Sequence, residues 1–379
     1  MISIYNINMK TNKTNLNIII SLFIMMIISI LSIYAATTFL KPEFNNIYLK
    51  QLIFYIIGIG LIIFIKYKGF NLLKKYHLLI YIGINILLLS LLLFGINING
   101  SRCWIYIGSF SFQPSELMKI SLIITISCTI NKFKKKKKNT IKDEFILLGK
   151  LFILTFIPSI LTFLEPDTGV VIIYFLIFIT LVFFIKLRKI WYITFISSFL
   201  IISGSIIFLY FFKQDLFIKL VGINIFYRID RVLNWVYGNG YQLENSLISI
   251  GSSGLFGFGY LKNPLYFPEP QTDFIFATFT SNFGLIGAII LLFVLIIFDS
   301  SILRLSLKKV KLVDKYIIIG IFIMLFYGQV QNIGMTIGLL PITGIPLPFI
   351  SYGGTSLLVF LFVIGIILNI NREINKYRN

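Results

Sequence analysis

The side chains that could do chemistry in this chain stand in short polar motifs between long apolar runs. The most informative motif is PEPQTDF at 268–274, in which Asp273 stands where a polar segment meets an apolar helix. Burial at such a boundary raises the pKa of a carboxyl group, and a raised pKa suits a general base. Aspartate is also among the best residues for capping a helix N-terminus. The sequence leaves both roles open for Asp273.

A second motif, QPSELMK at 113–119, combines a helix start with a buried charge. Pro114, Ser115 and Glu116 are typical of a first helical turn, where backbone N–H groups and the helix dipole favour oxygen and negative charge. Lys119 follows Glu116 by three residues and therefore shares its face of the helix. Because an ionisable side chain in a membrane span faces a partner or a cavity, the motif indicates either a structural Glu116–Lys119 pair or a polar substrate cavity.

The remaining motifs each allow a structural and a functional interpretation. In EPDTG at 165–169, Asp167 either caps the next helix or orients Lys119, Arg102 or a sugar hydroxyl. Arg231 either clamps a phosphate in bidentate fashion or binds lipid headgroups or the neighbouring Asp230.

Two glycine-rich segments also allow both a structural and a functional interpretation. Four glycines at 251–259 either form turns or bring backbone N–H groups close to an anion. The segment 332–356 contains Asn332 and Ser351 among many Gly and Pro residues, which indicates broken helix ends that line a cavity or pack inside protein. Half-helices of transporters share this character.

The composition determines what kind of scaffold holds these motifs. Of 379 residues, 58% are hydrophobic and 13% charged, whereas soluble domains have about 45–50% apolar and about 25% charged residues. Two cysteines exclude a disulfide scaffold, and the single histidine, His77, excludes a His-rich metal site. The net charge of +20 would indicate nucleic acid in a soluble protein. In a membrane protein it indicates anionic lipid instead, and nucleic acid is not an expected partner.

A helix needs about 20 apolar residues to cross the hydrocarbon core of about 30 Å. Ten runs approach this length: about 17–39, 51–65, 78–95, 116–131, 145–164, 170–185, 190–212, 274–298, 316–337 and 349–370. The sequence therefore predicts an all-α, polytopic membrane protein of about ten transmembrane helices that forms a single membrane domain over 1–379.

The distribution of Lys and Arg predicts the orientation of these helices. Most of these residues fall in the segments that become cytoplasmic if the N-terminus is inside, as the positive-inside rule requires. Both termini are then cytoplasmic, and a large extracytoplasmic loop, about 213–273, joins the seventh and eighth helices. Most acids fall outside, although Asp299 is predicted to lie in an inner segment. Any active face should therefore be extracytoplasmic.

Taken in order, the motifs resemble the SEDS family of membrane glycosyltransferases (shape, elongation, division and sporulation proteins) over about residues 18–370. The resemblance lies in five segments: RCWIYIGSFSFQPSELMK, EPDTG, RVLNW with GYQLENSLISIGSSGLFGFG, PEPQTDFIFA and NIGMTIGLLPITGIPLPFISYGGTS. The sequences NIGM and GIPLP are more similar to the rod-shape branch of the family than to its division branch. The resemblance implies a ten-span enzyme of the cytoplasmic (inner) membrane that polymerises lipid II into glycan strands during cell elongation.

The resemblance also implies roles for residues. It makes Asp273 the catalytic group that takes the proton from the acceptor 4-hydroxyl, so that this oxygen attacks C1 of the growing chain and expels undecaprenyl pyrophosphate with inversion. The predicted substrate-binding residues are Arg102, Gln113, Ser115, Glu116, Lys119, Asp167, Arg231, Glu269, Asn332 and Ser351. The cations among them would stabilise the departing diphosphate. The resemblance leaves open whether a divalent cation, Mg²⁺ or Mn²⁺, is a cofactor. The implied partners are lipid II, the undecaprenyl-linked glycan chain, a class B penicillin-binding protein and other elongation-complex proteins.

The chain departs from the family pattern at five positions: Glu165, Phe258, Gln271, Ser281 and Asn282. The first replaces a Gln, the second a Lys and the third a His, and the last two replace a pair of Glu. These changes remove acids and a possible cation, so two alternatives stay open. One is a lipid II flippase, which needs a polar path through the bilayer. The other is a weakly active scaffold for a partner penicillin-binding protein.

Overall fold

The computed structural model describes residues 2–38, 40, 46–95, 102–107, 110–136, 140–223, 226–227, 240–262, 265–308 and 310–376. In this part of the chain almost every apolar run forms a helix. The helices are α1 (Ile2–Thr37), α2 (Ile47–Lys68), α3 (Asn71–Lys75), α4 (His77–Phe94), α5 (Pro114–Lys134), α6 (Ile141–Leu164), α7 (Thr168–Phe184), α8 (Lys189–Phe212), α9 (Gln214–Val221), α10 (Tyr241–Ser252), α11 (Ile275–Ser306), α12 (Leu312–Thr336) and α13 (Gly354–Lys376).

Helices cover all ten predicted runs, and eight of them are long and apolar enough to cross a membrane: α1 from Thr14, α2, α4, α6, α8, α11, α12 and α13. The prediction of a polytopic, mainly helical membrane protein is confirmed. The other two runs correspond to α7, which has 17 residues, and α5, which carries Glu116 and Lys119. Because α5 is buried along most of its length, it does not have to match the apolarity of lipid. The count of ten spans stays a prediction.

One element was not predicted. Strands β1 (Ile105–Ile107) and β2 (Phe110–Phe112) pair in antiparallel register, with Ile105 opposite Phe112, so the prediction of an all-α chain is wrong for this segment. Each strand has only three residues, too few to be distinguished from a loop by alternating hydrophobicity. The hairpin leads directly into α5.

The Gly- and Pro-rich loop at 337–353 is packed inside protein. The carbonyl oxygen of Phe349 accepts a hydrogen bond from the Tyr55 hydroxyl. The next two carbonyl oxygens accept from Ser29 Oγ at 2.7 Å and from Gln51 Nε2 at 3.1 Å. Irregular backbone at membrane depth needs such partners. The helices α1 and α2 thus fix this loop, which begins where α12 ends and continues into α13.

Helix α11 is kinked at Gly284, whose φ of 66° and ψ of −165° are accessible essentially to glycine alone. The kink lets the chain at Gly257 approach closely, since a Cβ on Gly284 would lie 2.3 Å from the Gly257 nitrogen. The N–H of Phe258 also donates to the Ser281 carbonyl at 2.9 Å. Gly257 therefore serves close backbone packing against α11, and Gly254, with a φ of 61°, lies in the turn that precedes it. The anion-site alternative for this segment stays a prediction.

Substituting Ala at this kink is expected to destabilise the protein. In Gly284→Ala the backbone conformation alone costs about 1–3 kcal/mol, and the new Cβ overlaps the main chain of Gly257 and Leu255. The measurement is the thermal unfolding midpoint in detergent. Gly60→Ala is the matched control, because nothing lies within 4 Å of its added Cβ. Equal midpoints for the two variants would contradict the packing described here.

Candidate active site

Asp273 lies on a turn immediately before α11, at one end of the bundle. Helix α12 ends and α13 begins at this same end, called here the Asp273 end. The N-cap residue of α11 is Phe274, and its side chain makes no capping hydrogen bond. The Asp273 carboxylate carries no hydrogen bond from the described residues. Of the two roles left open by the sequence, capping is therefore wrong, and the carboxylate is available for chemistry.

Glu269 builds the turn that presents Asp273. Its backbone has a left-handed φ of 56°, and its carbonyl oxygen accepts the N–H groups of Thr272 at 3.3 Å and Phe274 at 3.1 Å. Its carboxylate Oε2 accepts from Gln271 Nε2 at 3.0 Å and Thr272 Oγ1 at 2.7 Å. These bonds close the turn on itself, so the position of Asp273 is set by its neighbours in sequence.

Asn332 and Ser351 attach this turn to the rest of the bundle. Asn332 Nδ2 donates to the carbonyl oxygens of Asp273 and Ile345, at 2.9 Å each. Ser351 Oγ donates to the Thr272 carbonyl at 2.7 Å and accepts the N–H of Leu347 at 2.8 Å. Both side chains are almost fully buried. These hydrogen bonds position the turn that carries Asp273. Any effect of Asn332 and Ser351 on substrate binding would therefore be indirect.

The carboxylate of Asp273 faces the loop at 337–353, because a Cβ on Gly344 would lie 3.6 Å from Asp273 Oδ2. Removal from water raises the pKa of Asp273 to about 7, and the negative charge of Glu269 adds to this increase. A carboxyl group with a pKa near 7 can accept a proton efficiently near neutral pH.

A second polar cluster surrounds the start of α5. Lys119 Nζ lies 2.7 Å from Glu116 Oε1, and both side chains are buried. The structural ion pair, one of the two interpretations of this motif, is therefore present. The ammonium group also lies 5.4 Å from the centre of the Phe360 ring, which contributes a cation–π contact.

Asp167 joins α5 to α7. Its Oδ1 caps α7 by accepting the N–H of Val170 at 3.2 Å, while its Oδ2 accepts from Gln113 Nε2 at 2.8 Å and Ser115 Oγ at 3.3 Å. Burial, together with the charge of Glu116, raises the pKa of Asp167 to about 6 in spite of these donors. The capping interpretation is confirmed, and Gln113 and Ser115 hold Asp167 in place.

Glu165 is a fully buried acid in the same cluster. Neither of its carboxylate oxygens has a hydrogen-bond partner among the described residues, and its carbonyl oxygen accepts from the Cys103 thiol. Burial, followed by the charge of Asp167, raises the pKa of Glu165 to about 8. At neutral pH the side chain is therefore mostly a neutral acid, which has nearly the shape of the Gln that it replaces.

Replacing Glu165 is expected to remove a pH dependence of stability. The unfolded side chain releases its proton near 4.5 and the folded one near 8, so stability falls as pH rises through this interval. Glu165→Gln should melt at a higher temperature than the parent at about pH 8, with a smaller difference at about pH 5. The exposed Glu244→Gln is the control. A difference that does not vary with pH would show that the acid is not buried as a neutral group.

The two clusters meet at the 337–353 loop. At Gly169, next to the Asp167 cap, an added Cβ would lie 2.8 Å from both the Thr343 carbonyl and Ile345 Cγ1. The neighbouring Gly344 faces Asp273, so Asp167 and Asp273 approach this loop from different sides. The Lys119 ammonium is occupied by Glu116 rather than exposed beside Asp273.

Of the two arginines that are predicted to bind substrate, the structure describes one. Arg102 is exposed, and its Nη1 donates a long hydrogen bond of 3.5 Å to the Leu92 carbonyl oxygen. Arg231, the third cation of the predicted set, lies outside the described residues. Its role as a phosphate clamp stays a prediction.

The positions that depart from the family pattern are accommodated by local contacts. Asn282 donates to the Thr278 carbonyl at 2.7 Å and accepts the N–H of Leu261 at 2.8 Å, so it ties the long loop to α11. Ser281 is buried without a partner for its hydroxyl among the described residues. Gln271 donates to Glu269, as described above. The side chains of Gln271 and Asn282 therefore support the Asp273 turn and the segment at the kink, respectively.

Asp299 lies beyond the predicted run 274–298 but still on the same helix. It lies within α11, which continues to Ser306, and its Oδ1 accepts from Gln329 Nε2 of α12 at 3.1 Å. Both side chains are buried. Gln329 on the facing helix thus satisfies the buried carboxylate, and the inner position predicted for Asp299 stays a prediction.

No group of three or more His, Cys, Asp or Glu side chains that could hold a metal occurs in the described part of the chain. Mg²⁺ is often bound by one or two carboxylates together with substrate phosphates. Asp273 and the nearby Glu269 fit that second arrangement, in which the substrate would supply the remaining ligands.

Fold and site together define a multi-pass membrane protein with a half-buried carboxylate on a braced turn at the ends of its helices. A family model described as "Cell cycle protein", which covers the FtsW, RodA and SpoVE proteins, matches residues 12–376. The chain belongs to this family, the SEDS family.

Individual relatives agree with the family model. The chain is 30% identical to stage V sporulation protein E of Bacillus subtilis, over 96% of this chain and 98% of that protein. It is 35% identical to the probable peptidoglycan glycosyltransferase FtsW of Coxiella burnetii, over 74% of this chain and 73% of that protein.

Solved structures share the fold. A chain from a structure described as "Structural coordination of polymerization and crosslinking by a peptidoglycan synthase complex" has a TM-score of 0.77 at 21% identity, covering 94% of this chain and 97% of that chain. The rod shape determining protein RodA of Thermus thermophilus has a TM-score of 0.67 at 22% identity, covering 94% and 96%. The matches thus include the division, sporulation and rod-shape branches, and they support the predicted rod-shape likeness only in part.

Proposed function

We propose that this protein is a peptidoglycan glycosyltransferase that polymerises lipid II at the outer face of the cytoplasmic membrane. The observation that carries the proposal is the Asp273 carboxyl group, half-buried with a pKa of about 7 on a turn braced by Asn332 and Ser351. Family membership and the names of the relatives support the substrate class. The active face follows from the charge distribution, because Lys and Arg are concentrated at the opposite end of the bundle.

The proposed reaction uses Asp273 as the general base. The carboxylate takes the proton from the acceptor 4-hydroxyl while this oxygen forms a bond to C1 of the donor sugar. The bond from C1 to the diphosphate oxygen breaks, and undecaprenyl pyrophosphate leaves with the electron pair. Attack opposite to the leaving group inverts the configuration at C1. The proton later passes from Asp273 to water.

The diphosphate gains negative charge as it leaves, and cations must stabilise it. Arg102 is exposed and able to do so, and Arg231 is proposed for the same task. Lys119 is tied to Glu116 and contributes its field from within the protein. A divalent cation would supply further charge neutralisation when it is bound together with the substrate phosphates.

An apolar pocket of about 400 Å³ suits the hydrocarbon tail of the substrate. It lies between α2, α4, α5 and α13, and it extends from Phe112 and Thr355 near the Asp273 end to His77 near the other end. The rest of its lining is almost entirely apolar. A sugar crossing the bilayer would need polar partners along its path, so this lining favours a lipid-tail site over a flippase channel.

The pH dependence of activity tests the role of Glu269. Because the base must be deprotonated, activity is expected to fall as pH decreases through about 7. Removing the Glu269 charge in Glu269→Gln should lower the pKa of Asp273 and move this acidic limb to lower pH. The Gln side chain can still accept the bonds from Gln271 and Thr272. The control is the exposed Glu244→Gln, and an acidic limb that both variants leave unmoved would contradict the assignment.

We further propose a class B penicillin-binding protein as the partner and cell elongation as the process. One structural neighbour comes from a peptidoglycan synthase complex, which supports the proposed partner. The sequences NIGM and GIPLP support the proposed role in elongation. Other elongation-complex proteins would then assemble around this pair.

The test of the function uses the purified full chain in lipid nanodiscs, with and without a co-expressed penicillin-binding protein. Lipid II is expected to be converted into glycan strands with release of undecaprenyl pyrophosphate. If no strands form in either preparation, while lipid II crosses protein-containing vesicles, the protein is a flippase. If neither reaction occurs, it is a scaffold.

A further inference from the structure

The long loop before Asp273 contains a segment without charged residues, although many of its side chains are exposed. From Asn245 to Leu261 the sequence has no Asp, Glu, Lys or Arg. This segment includes most of α10 and the turn that follows it, at 253–256. Helices that face water normally carry charged residues on their outer side. The surroundings of this segment must therefore differ from bulk water.

The two faces of α10 are reversed relative to a helix that faces water. Ser246 and Ser249 are completely buried, and Ser246 Oγ donates to the Thr336 carbonyl at the end of α12 at 2.9 Å. The large apolar side chains point outward, with exposed fractions of 42% for Leu247, 47% for Ile248, 58% for Leu255 and 76% for Phe256. Small hydroxyl residues thus pack on the bundle, and an apolar patch covers the outside. We call Leu247, Ile248, Leu255 and Phe256 the loop patch.

The loop patch is level with the residues of α11 at which a hydrocarbon core that ends at Arg304 would begin. The N–H groups of Leu285 and Ile286 donate to the carbonyls of Gly254 and Leu255 at 3.0 and 3.1 Å, so the turn is level with the start of the straight part of α11. From 285 to 303, just before Arg304, this helix rises about 28 Å, close to the hydrocarbon thickness of about 30 Å.

The loop patch also continues the lipid-facing surface of α11. The straight part of this helix exposes Ile289, Phe293 and Ile296, with exposed fractions of 55%, 61% and 63%. Because Leu255 is hydrogen-bonded to the first turn of that surface, the two apolar regions form one surface. Contiguous apolar surface of this kind marks a contact with membrane or protein.

We propose that α10 and the turn at 253–256 form a membrane-surface element that inserts Leu255 and Phe256 among the lipids of the leaflet at the Asp273 end. The occupant of the loop patch is lipid, since the depth, the lack of charge and the continuity with α11 all match an interfacial segment. Through Ser246 and the kink at Gly284, the element holds the long loop at the level of the lipid headgroups. The proposal does not depend on the proposed function.

The experiment measures the depth of a fluorescent probe. Phe256→Cys, in a background with Cys103→Ser and Cys128→Ser, is labelled with an environment-sensitive fluorophore. The full chain is then placed in nanodiscs of phosphatidylethanolamine and phosphatidylglycerol. Some of the lipids carry a nitroxide quencher near the start of the acyl chain or near its end. Ile296→Cys and Lys262→Cys, labelled in the same way, are the deep and the aqueous controls.

The Phe256 probe is expected to emit at shorter wavelength than the Lys262 probe. We expect the shallow nitroxide to quench it severalfold more than it quenches the Lys262 probe, whereas the Ile296 probe should respond most to the deep nitroxide. Since the Phe256 side chain is mostly exposed, the unfolding midpoint should equal that of the unlabelled protein. A Phe256 probe that behaves like the Lys262 probe would overturn the proposal. So would a probe that becomes shielded only when a partner protein is added, because the loop patch would then be a protein-docking surface.

Discussion

Asp273→Asn is expected to reduce glycan formation from lipid II by about 10²–10⁴-fold, the range typical for loss of a general base. The Asn side chain has the same size but cannot accept the proton at neutral pH. The fold should persist, because the turn is held through the backbone of Asp273 and through the side chains of Glu269, Asn332 and Ser351. The measurement is the initial rate of strand formation in nanodiscs.

A matched carboxylate separates loss of the base from a general loss of negative charge. Asp215 lies in the first turn of α9 and is exposed, so Asp215→Asn should keep the parent rate. Asp215→Asn should unfold at the parent temperature, and Asp273→Asn at or above it, because a carboxyl group with a raised pKa costs stability when it ionises. Full polymerisation by Asp273→Asn would remove the proposed mechanism and leave the family assignment intact.

Lys119→Met is expected to destabilise the protein by about 3–5 kcal/mol, the usual cost of removing one partner of a buried ion pair. The substitution keeps the length of the side chain but leaves the Glu116 charge unpaired inside α5. Protein yield and the thermal unfolding midpoint in detergent are the measurements. Lys136→Met is the control, since that lysine is largely exposed in its contact with Asp143.

A double variant distinguishes a structural pair from a catalytic one. Glu116→Gln combined with Lys119→Met removes both charges, and much of the lost stability should return because no uncompensated charge remains. If Lys119 serves only the fold, strand formation should recover together with stability. A stable but inactive double variant would mean that the ammonium acts on the diphosphate. Failure of the double variant to regain stability would contradict the pairing itself.

Several residues that the sequence predicts to bind substrate make hydrogen bonds within the protein instead. Gln113 and Ser115 donate to Asp167, and Asn332 and Ser351 donate to carbonyls of the chain that carries or faces Asp273. The donor groups of these four side chains are therefore bound to protein. We therefore expect substitutions there to displace the carboxylates at 167 and 273 before they affect a sugar contact.

The predictable part of the molecule follows from local rules. Runs of about 20 apolar residues cross a bilayer, and charge asymmetry orients them. The position of Asp273 before an apolar helix indicated a boundary carboxyl group, and the spacing of Glu116 and Lys119 placed both on one helix face.

The tertiary structure decided which of these groups meet. Whether Asp273 capped α11 or stood free depended on the turn at Glu269, and its partial burial depended on a loop 71 residues further along at Gly344. The closeness of Gly257 to Gly284 and the reversed faces of α10 likewise result from packing between distant segments. Hydropathy and residue spacing act within one helix and a known bilayer thickness, so sequence alone determined the class of protein and its candidate base. Contacts between segments depend on how buried surfaces fit together, and this fit appears only when the whole chain has folded.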